Sequence, residues 1–270
     1  MLFRSWRLVA VELWQTQVAF AIGLLGVYIG WRGVISKMTG FYDVAGAVKY
    51  LLYGLVSGML LAMAVDRIIL PAVILSSLNI ISVSLVALLI GAAEAAFVMF
   101  LMARPRVVAL RGSPPYGWAL GLGIGSMQAC VLIVRLFDTE LAYSEYSGLN
   151  PFSMLLAFAI SITSCLGHAL PASWQGAKVL EASRMRPFFL SSMARGALTV
   201  CLVLSLFEPL LLLVAVPAIA LAWGPAQRSW LPSGMTPAAK QAFRRTTRQS
   251  DKHRKASEAR VRGTRVDNEE

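Results

Sequence analysis

The sequence predicts an all-α fold, a polytopic transmembrane helical bundle of about seven spans. Three observations predict it. Apolar residues make up 57% of the 270 residues and charged residues only 14%, against roughly 25% charged in soluble domains. The apolar residues fall in runs close to twenty long, the length that crosses ~30 Å of hydrocarbon. The runs are continuous rather than alternating in polarity, which argues against a β-barrel. The net charge of +11 is concentrated after Trp223. In a membrane protein that asymmetry reports topology first and a nucleic-acid partner second.

The first span is expected at about residues 10–31, closing on Tyr28 and Trp31 at an interface. It is not read as a cleavable leader, although Arg4 and Arg7 precede it. Glu12, Gln15 and Gln17 interrupt the apolar stretch, and no small-residue cleavage site ends it. The second span is expected at about 48–65, ending at Asp66 and Arg67, which read as an interfacial pair. Residues 68–79 carry Pro71, two serines and Asn79. They are too short to cross alone and predict a loop or surface helix.

The third span, about 80–102, contains Glu94. A basic loop, "RPRVVALRGSPP", leads to a fourth span at about 115–137. The acidic loop "DTELAYSEYSGLNP" precedes a fifth span at about 152–174, which contains His168. A basic connector with Lys178, Arg184 and Arg186 follows. Residues 188–224 are apolar for too long to be one helix, and Glu208-Pro209 breaks them. Proline lacks a backbone donor and disfavours helix at the residue before it. The run therefore divides into a sixth span at about 188–207 and a seventh at about 209–224.

Lysine and arginine in the short loops set the orientation. The loop with Arg104, Arg106 and Arg111 and the connector with Lys178, Arg184 and Arg186 are expected inside; the loop with Asp138, Glu140 and Glu145 outside. With seven spans this puts the N-terminus outside and the C-terminus in the cytoplasm, in a cell or cytoplasmic membrane. Arg4 and Arg7 then lie against the rule. Residues 1–225 form the membrane domain and 226–270 a basic tail. The tail is too polar to bury a core and is expected to be disordered or loosely helical. It is expected near anionic lipid headgroups; the competing partner is RNA or the ribosome, although stacking aromatics are missing from it.

An ionisable group within a span is usually turned inward and paired. In the fourth span, Gly121, Gly125, Gln128 and Arg135 share one stripe, with Gly117 a turn above. Gly117, Gly121, Gly125 and Ala129 form a small-residue seam, which lets a neighbouring backbone approach. In the third span Glu94 shares its face with Gly91 and Ala87; in the fifth, His168 shares its face with Ser161, Ser164 and Cys165. Glu94, Gln128, Ser164 and His168 are thus expected around one polar pocket, with Arg135 lower, pairing with a carboxylate or reaching an interface. Each also has a purely structural reading: a buried carboxyl bonded to a serine or carbonyl, a packing histidine, an amide joining helices. Cys130, Cys165 and Cys201 read as small buried residues. No nucleotide loop, HExxH or Cys/His metal spacing is present, so no cofactor or metal is expected.

The segments "GAAE", "GLGIGSMQA" and "LGH", in successive spans, resemble a superfamily of intramembrane proteins. It includes PrsW-type and YhfC-type proteins, CAAX-processing glutamic proteases and the Aph subunit of γ-secretase. For the proteolytic branches the resemblance implies a Glu-Glu pair and a later histidine. Glu94 matches the second glutamate, Ala93 stands at the first, Gln128 stands where YhfC-type proteins carry an acid, and His168 matches the histidine. The Aph branch implies seven spans, an outside N-terminus, a glycine seam in the fourth span and a histidine late in the fifth. Its second intramembrane histidine has no match here, where the sixth span reads "SSMARGALTV", with Arg195 and Gly196. The first functional expectation is therefore a non-catalytic scaffold or assembly partner of other integral membrane proteins. The second is an active glutamic protease using Glu94 and His168 as catalytic residues. The third is a small transporter or lipid-handling protein.

Overall fold

The computed structural model describes residues 11–75 and 80–261. Among these, seven segments are long and apolar enough to cross a membrane: Leu13–Met38, Val44–Ile74, Ile81–Met102, Ser113–Phe137, Pro151–Leu180, Met185–Leu204 and Pro209–Gly234. The chain is a multi-pass helical membrane protein. The helices are α1 (Leu13–Gly33), α2 (Val44–Ala64), α3 (Leu70–Leu75), α4 (Ile80–Met102), α5 (Pro105–Ala109), α6 (Ser113–Phe137), α7 (Pro151–Leu180), α8 (Met185–Leu204), α9 (Leu212–Pro225) and α10 (Pro237–Val261). Arg4, Arg7, Asn79 and the last nine residues of the expected tail lie outside the described residues.

Successive spans alternate in direction, so the connections collect at two ends. One end holds residues 34–43, the basic loop with α5, the connector after α7, and α10. The other holds the acidic loop 138–150 and the Glu208 break. At that break Glu208 is extended, and its carboxylate accepts the Leu210 amide at 3.3 Å. Asn150 likewise starts α7 by accepting the Ser153 amide, while the Ser153 hydroxyl accepts the Asn150 amide, both at 2.9 Å. This reciprocal cap satisfies two donors that a helix start otherwise leaves open.

Helix α6 is the centre of the bundle, and almost every one of its residues is buried. In lipid the hydrophobic effect does not drive helices together, so close backbone packing must do so. The glycines supply it on two opposite faces. A Cβ added at Gly117 would lie 2.4 Å from the Ala172 carbonyl oxygen; at Gly121, 2.5 Å from that of His168; at Gly125, 2.4 Å from that of Ser164. Ala129 continues this stripe and is fully buried. On the other face, a Cβ at Gly123 would lie 2.5 Å from the Leu51 oxygen, and one at Gly54 of α2 would lie 2.2 Å from the Leu120 oxygen. The first stripe faces α7 and the second faces α2.

One expectation needs correction. Residues 68–75 are neither a loop nor a surface helix: α2 runs through a π-helical turn, Val65–Ile69, directly into α3. That turn shifts the hydrogen-bond ladder by one residue, and Pro71 enters in the first turn after it, where a missing donor is tolerated. The tail, expected from 226 as disordered or loosely helical, follows a seventh apolar segment that runs to Gly234. Ala226, Leu231 and Met235 are packed against the bundle, and residues 237–261 are helical. The segment is rich in Ala, Arg, Lys and Gln, strong helix formers. Phe243 meets Phe41 edge-on at 5.5 Å, but most of the described side chains of α10 are exposed.

Candidate functional site: a buried Glu–His–Arg cluster

Glu94 lies about 12 Å along α4 from Met102, at ~1.5 Å per residue, well inside the span. Its Oε1 accepts from Arg195 Nε at 2.7 Å and meets His168 Nδ1 at 2.9 Å. Arg195 Nη1 donates to Gln175 Oε1 at 2.7 Å, and Gln175 Nε2 donates to the Ala95 carbonyl at 3.1 Å. Glu94 is 3% exposed, His168 1%, and Arg195 and Gln175 0%. A guanidinium stays charged in proteins, so the group that balances it here is the Glu94 carboxylate. With the carboxylate accepting, His168 Nδ1 carries the proton of that bond. His168 Nε2 and Arg195 Nη2 are buried without a hydrogen bond in the described structure.

Small residues make this meeting possible. A Cβ at Gly91 would lie 2.7 Å from the Gly196 amide nitrogen and from the Ser192 oxygen, so α4 and α8 touch backbone to backbone one turn before Glu94 and beside Arg195. Gly121 packs on the His168 carbonyl and sets the depth of α7. The ion cluster therefore ties together three helices that glycines already hold close.

The other residues expected around this pocket have partners elsewhere. Gln128 Nε2 reaches Thr199 Oγ1 at 3.5 Å, one turn from Arg195 on α8. Ser164 donates to the Gly125 carbonyl at 2.7 Å and fastens the α6–α7 seam. Arg135 forms a two-pronged pair with Asp66, Nε to Oδ1 at 2.6 Å and Nη2 to Oδ2 at 2.8 Å. Asp66 is thus not simply an interfacial partner of Arg67, whose Nε is 3.9 Å away. The π-helical turn carries Asp66 to the inner side of α2, where it is buried. Asp66→Asn is expected to destabilise the protein by about 1.5–3 kcal/mol, since a charge-assisted pair is weakened beside a guanidinium that remains. Denaturant titration in detergent micelles measures it.

Comparison with known proteins adds no assignment. No family model, curated protein or solved structure matches the chain. The site must therefore be read from its own chemistry.

Arg195 and Gln175 are the members that motif reading missed. Arg195 stood in the sequence only as a departure from an expected histidine. Its signal was available: an arginine in mid-span requires an internal counter-charge. Gln175 fell just past the expected end of the fifth span, which in fact continues to Leu180. Among the described residues, no group of His, Cys, Asp and Glu has the arrangement to hold a metal ion.

Proposed function

We propose that this chain is a non-catalytic scaffold, an assembly partner of other integral membrane proteins in the manner of the Aph branch. Its basic end, including α10, faces the cytoplasm, and its N-terminus lies outside. The orientation is supported by Arg104, Arg106, Arg111, Lys178, Arg184 and Arg186, which fall at the same end as α10, opposite Asp138, Glu140 and Glu145. A kinship with the PrsW and Aph superfamily rests on the short segments around Glu94, Gln128 and His168.

One observation carries the non-catalytic reading: the single glutamate of the cluster is spent on structure. A general base must reach the proton that it takes and keep a lone pair for it. Glu94 Oε1 is occupied by both Arg195 and His168, and the side chain as a whole is 3% exposed. Such a carboxylate holds helices in place.

Purification in mild detergent tests this. The wild type is expected to bring down a defined integral membrane protein and to leave a transmembrane peptide uncut. Glu94→Gln is expected to lower the yield of folded protein and of the partner together. A chain that purifies alone and cleaves the peptide, with cleavage abolished by Glu94→Gln, overturns the reading.

The free His168 Nε2 favours a second reading, a glutamic hydrolase in which Glu94 and His168 polarise a water once Arg195 withdraws. That reading requires Arg195→Gln to raise cleavage. The scaffold reading requires no cleavage from either form.

A further inference from the structure

At the basic end, a cavity of about 240 Å³ opens between the α1–α2 connection, the turn before α6 and the close of the seventh span. Its apolar lining includes Met38, Pro115, Leu231 and Met235. Its polar lining is Tyr42, Asp43, Arg111 and Tyr116. The Tyr42 hydroxyl donates to the Ile35 carbonyl at 3.1 Å, and the Tyr116 hydroxyl donates to Asp43 Oδ2 at 2.9 Å. Both phenolic protons are therefore committed. What remains toward the cavity is negative: a carboxylate, hydroxyl lone pairs and aromatic faces.

Asp43 starts α2, where the Gly46 amide and then the Tyr116 hydroxyl hold its carboxyl below the usual carboxylate range. Burial, and then the Asp43 charge, push the Tyr42 phenol up to about 12. At neutral pH the acid is ionised and the Tyr42 phenol is not.

Arg111 supplies the opposite sign. Its backbone is left-handed, φ 53°, a region that non-glycine residues enter rarely and at some strain. This conformation closes α5, with the Arg111 amide donating to the Val108 carbonyl at 2.9 Å and the Gly112 amide to the Val107 carbonyl at 3.1 Å, and Gly234 leaves room for the Arg111 carbonyl. Its guanidinium makes no hydrogen bond or ion pair with the described residues.

We infer that this cavity binds an ammonium–phosphate zwitterion, the headgroup of an aminophospholipid from the leaflet at the basic end, with its ammonium on Asp43 and the tyrosines and its phosphate on Arg111. Position, size and charge agree. The cavity lies where the first and seventh apolar segments end and the second and fourth begin, the position at which a span leaves the hydrocarbon. The volume is below the ~300–1,000 Å³ of pockets for drug-sized ligands, so it admits a headgroup and leaves acyl chains outside. An anionic lipid without an amine would set its phosphate beside Asp43 with nothing to balance that carboxylate. A hard metal cation would meet one carboxylate where it needs about six oxygens.

The test uses the full chain, stripped of lipid in detergent and re-equilibrated with phosphatidylethanolamine or phosphatidylglycerol, with bound lipid read by native mass spectrometry. Wild type is expected to retain the ethanolamine lipid about tenfold better, the worth of one charge-assisted contact. Asp43→Asn keeps an acceptor for Tyr116 and is expected to erase that preference. Arg111→Gln, on an exposed side chain, is expected to weaken both lipids alike. Soluble phosphoethanolamine separates the sources: displacement at low concentration assigns the same site to a free zwitterion, and failure to displace assigns it to lipid. Equal retention of the two lipids by wild type overturns the inference. So does an unchanged preference in folded Asp43→Asn or unchanged retention in Arg111→Gln, with folding checked by thermal unfolding without lipid.

Discussion

Arg195→Leu is expected to destabilise the protein by about 3–5 kcal/mol, the largest effect of any single side-chain truncation in the bundle. The substitution leaves the Glu94 carboxylate buried, with only the His168 bond to offset its loss of solvent. It also frees Gln175 Oε1, so two acceptors lose a donor at once. The double variant Glu94→Leu with Arg195→Leu is expected to recover most of that loss. Buried ion pairs replaced as a unit by packed apolar groups are often near neutral. Unfolding of both variants in detergent, by denaturant titration, gives the comparison. If the double variant is as damaged as the single one, the cluster does more than balance its own charges. If neither is damaged, the pair is not the fastening described above.

Gly121→Leu is the second large effect. The added Cβ alone would lie 2.5 Å from both the Ala169 Cα and the His168 carbonyl oxygen, and these are backbone atoms that cannot rotate aside. Helices α6 and α7 must separate, and overpacking of this kind typically costs ~1–3 kcal/mol or more. The consequence reaches the cluster, because His168 moves with α7. The expected readouts are a lower unfolding midpoint and a lower yield of folded protein in detergent. Gly224→Leu is the matched control: nothing lies within 4 Å of a Cβ there. It is expected to leave both readouts unchanged.

The bundle was legible in the sequence because lipid imposes one rule on every span, a long apolar run without open backbone groups. The division at Glu208-Pro209 was legible for a local reason, since proline cannot donate and the residue before it leaves the helix. The course of residues 66–75 was not. Pro71 reads as a stop in any sequence, and only the preceding π-helical turn converts it into the start of a continued helix. The Gly117, Gly121 and Gly125 stripe could be read from its spacing; the facing contact of Gly123 with α2 has its repeat on the other helix, at Gly54 and Gly58, and spacing alone does not say which helix those two meet.

The candidate site was legible only in part, for a related reason. Glu94 and His168 stand out as ionisable residues amid apolar ones. Which carboxylate each arginine takes depends on how the spans are arranged around α6. Asp66 and Arg135 are 69 positions apart, and Glu94 and Arg195 are 101 apart. Periodicity within one helix carries no information about either pairing. Nor does it reveal that Gln128 turns to Thr199 instead of toward Glu94.

That separation of 101 positions has a consequence during synthesis. A ribosome adds roughly 5–20 residues each second, so Glu94 is in the chain for about 5–20 s before Arg195 has even been made. Throughout that interval the acid must stay neutral, borrow another donor or remain in the insertion machinery. The newborn third helix therefore carries its acid without its final counter-charge until the sixth arrives.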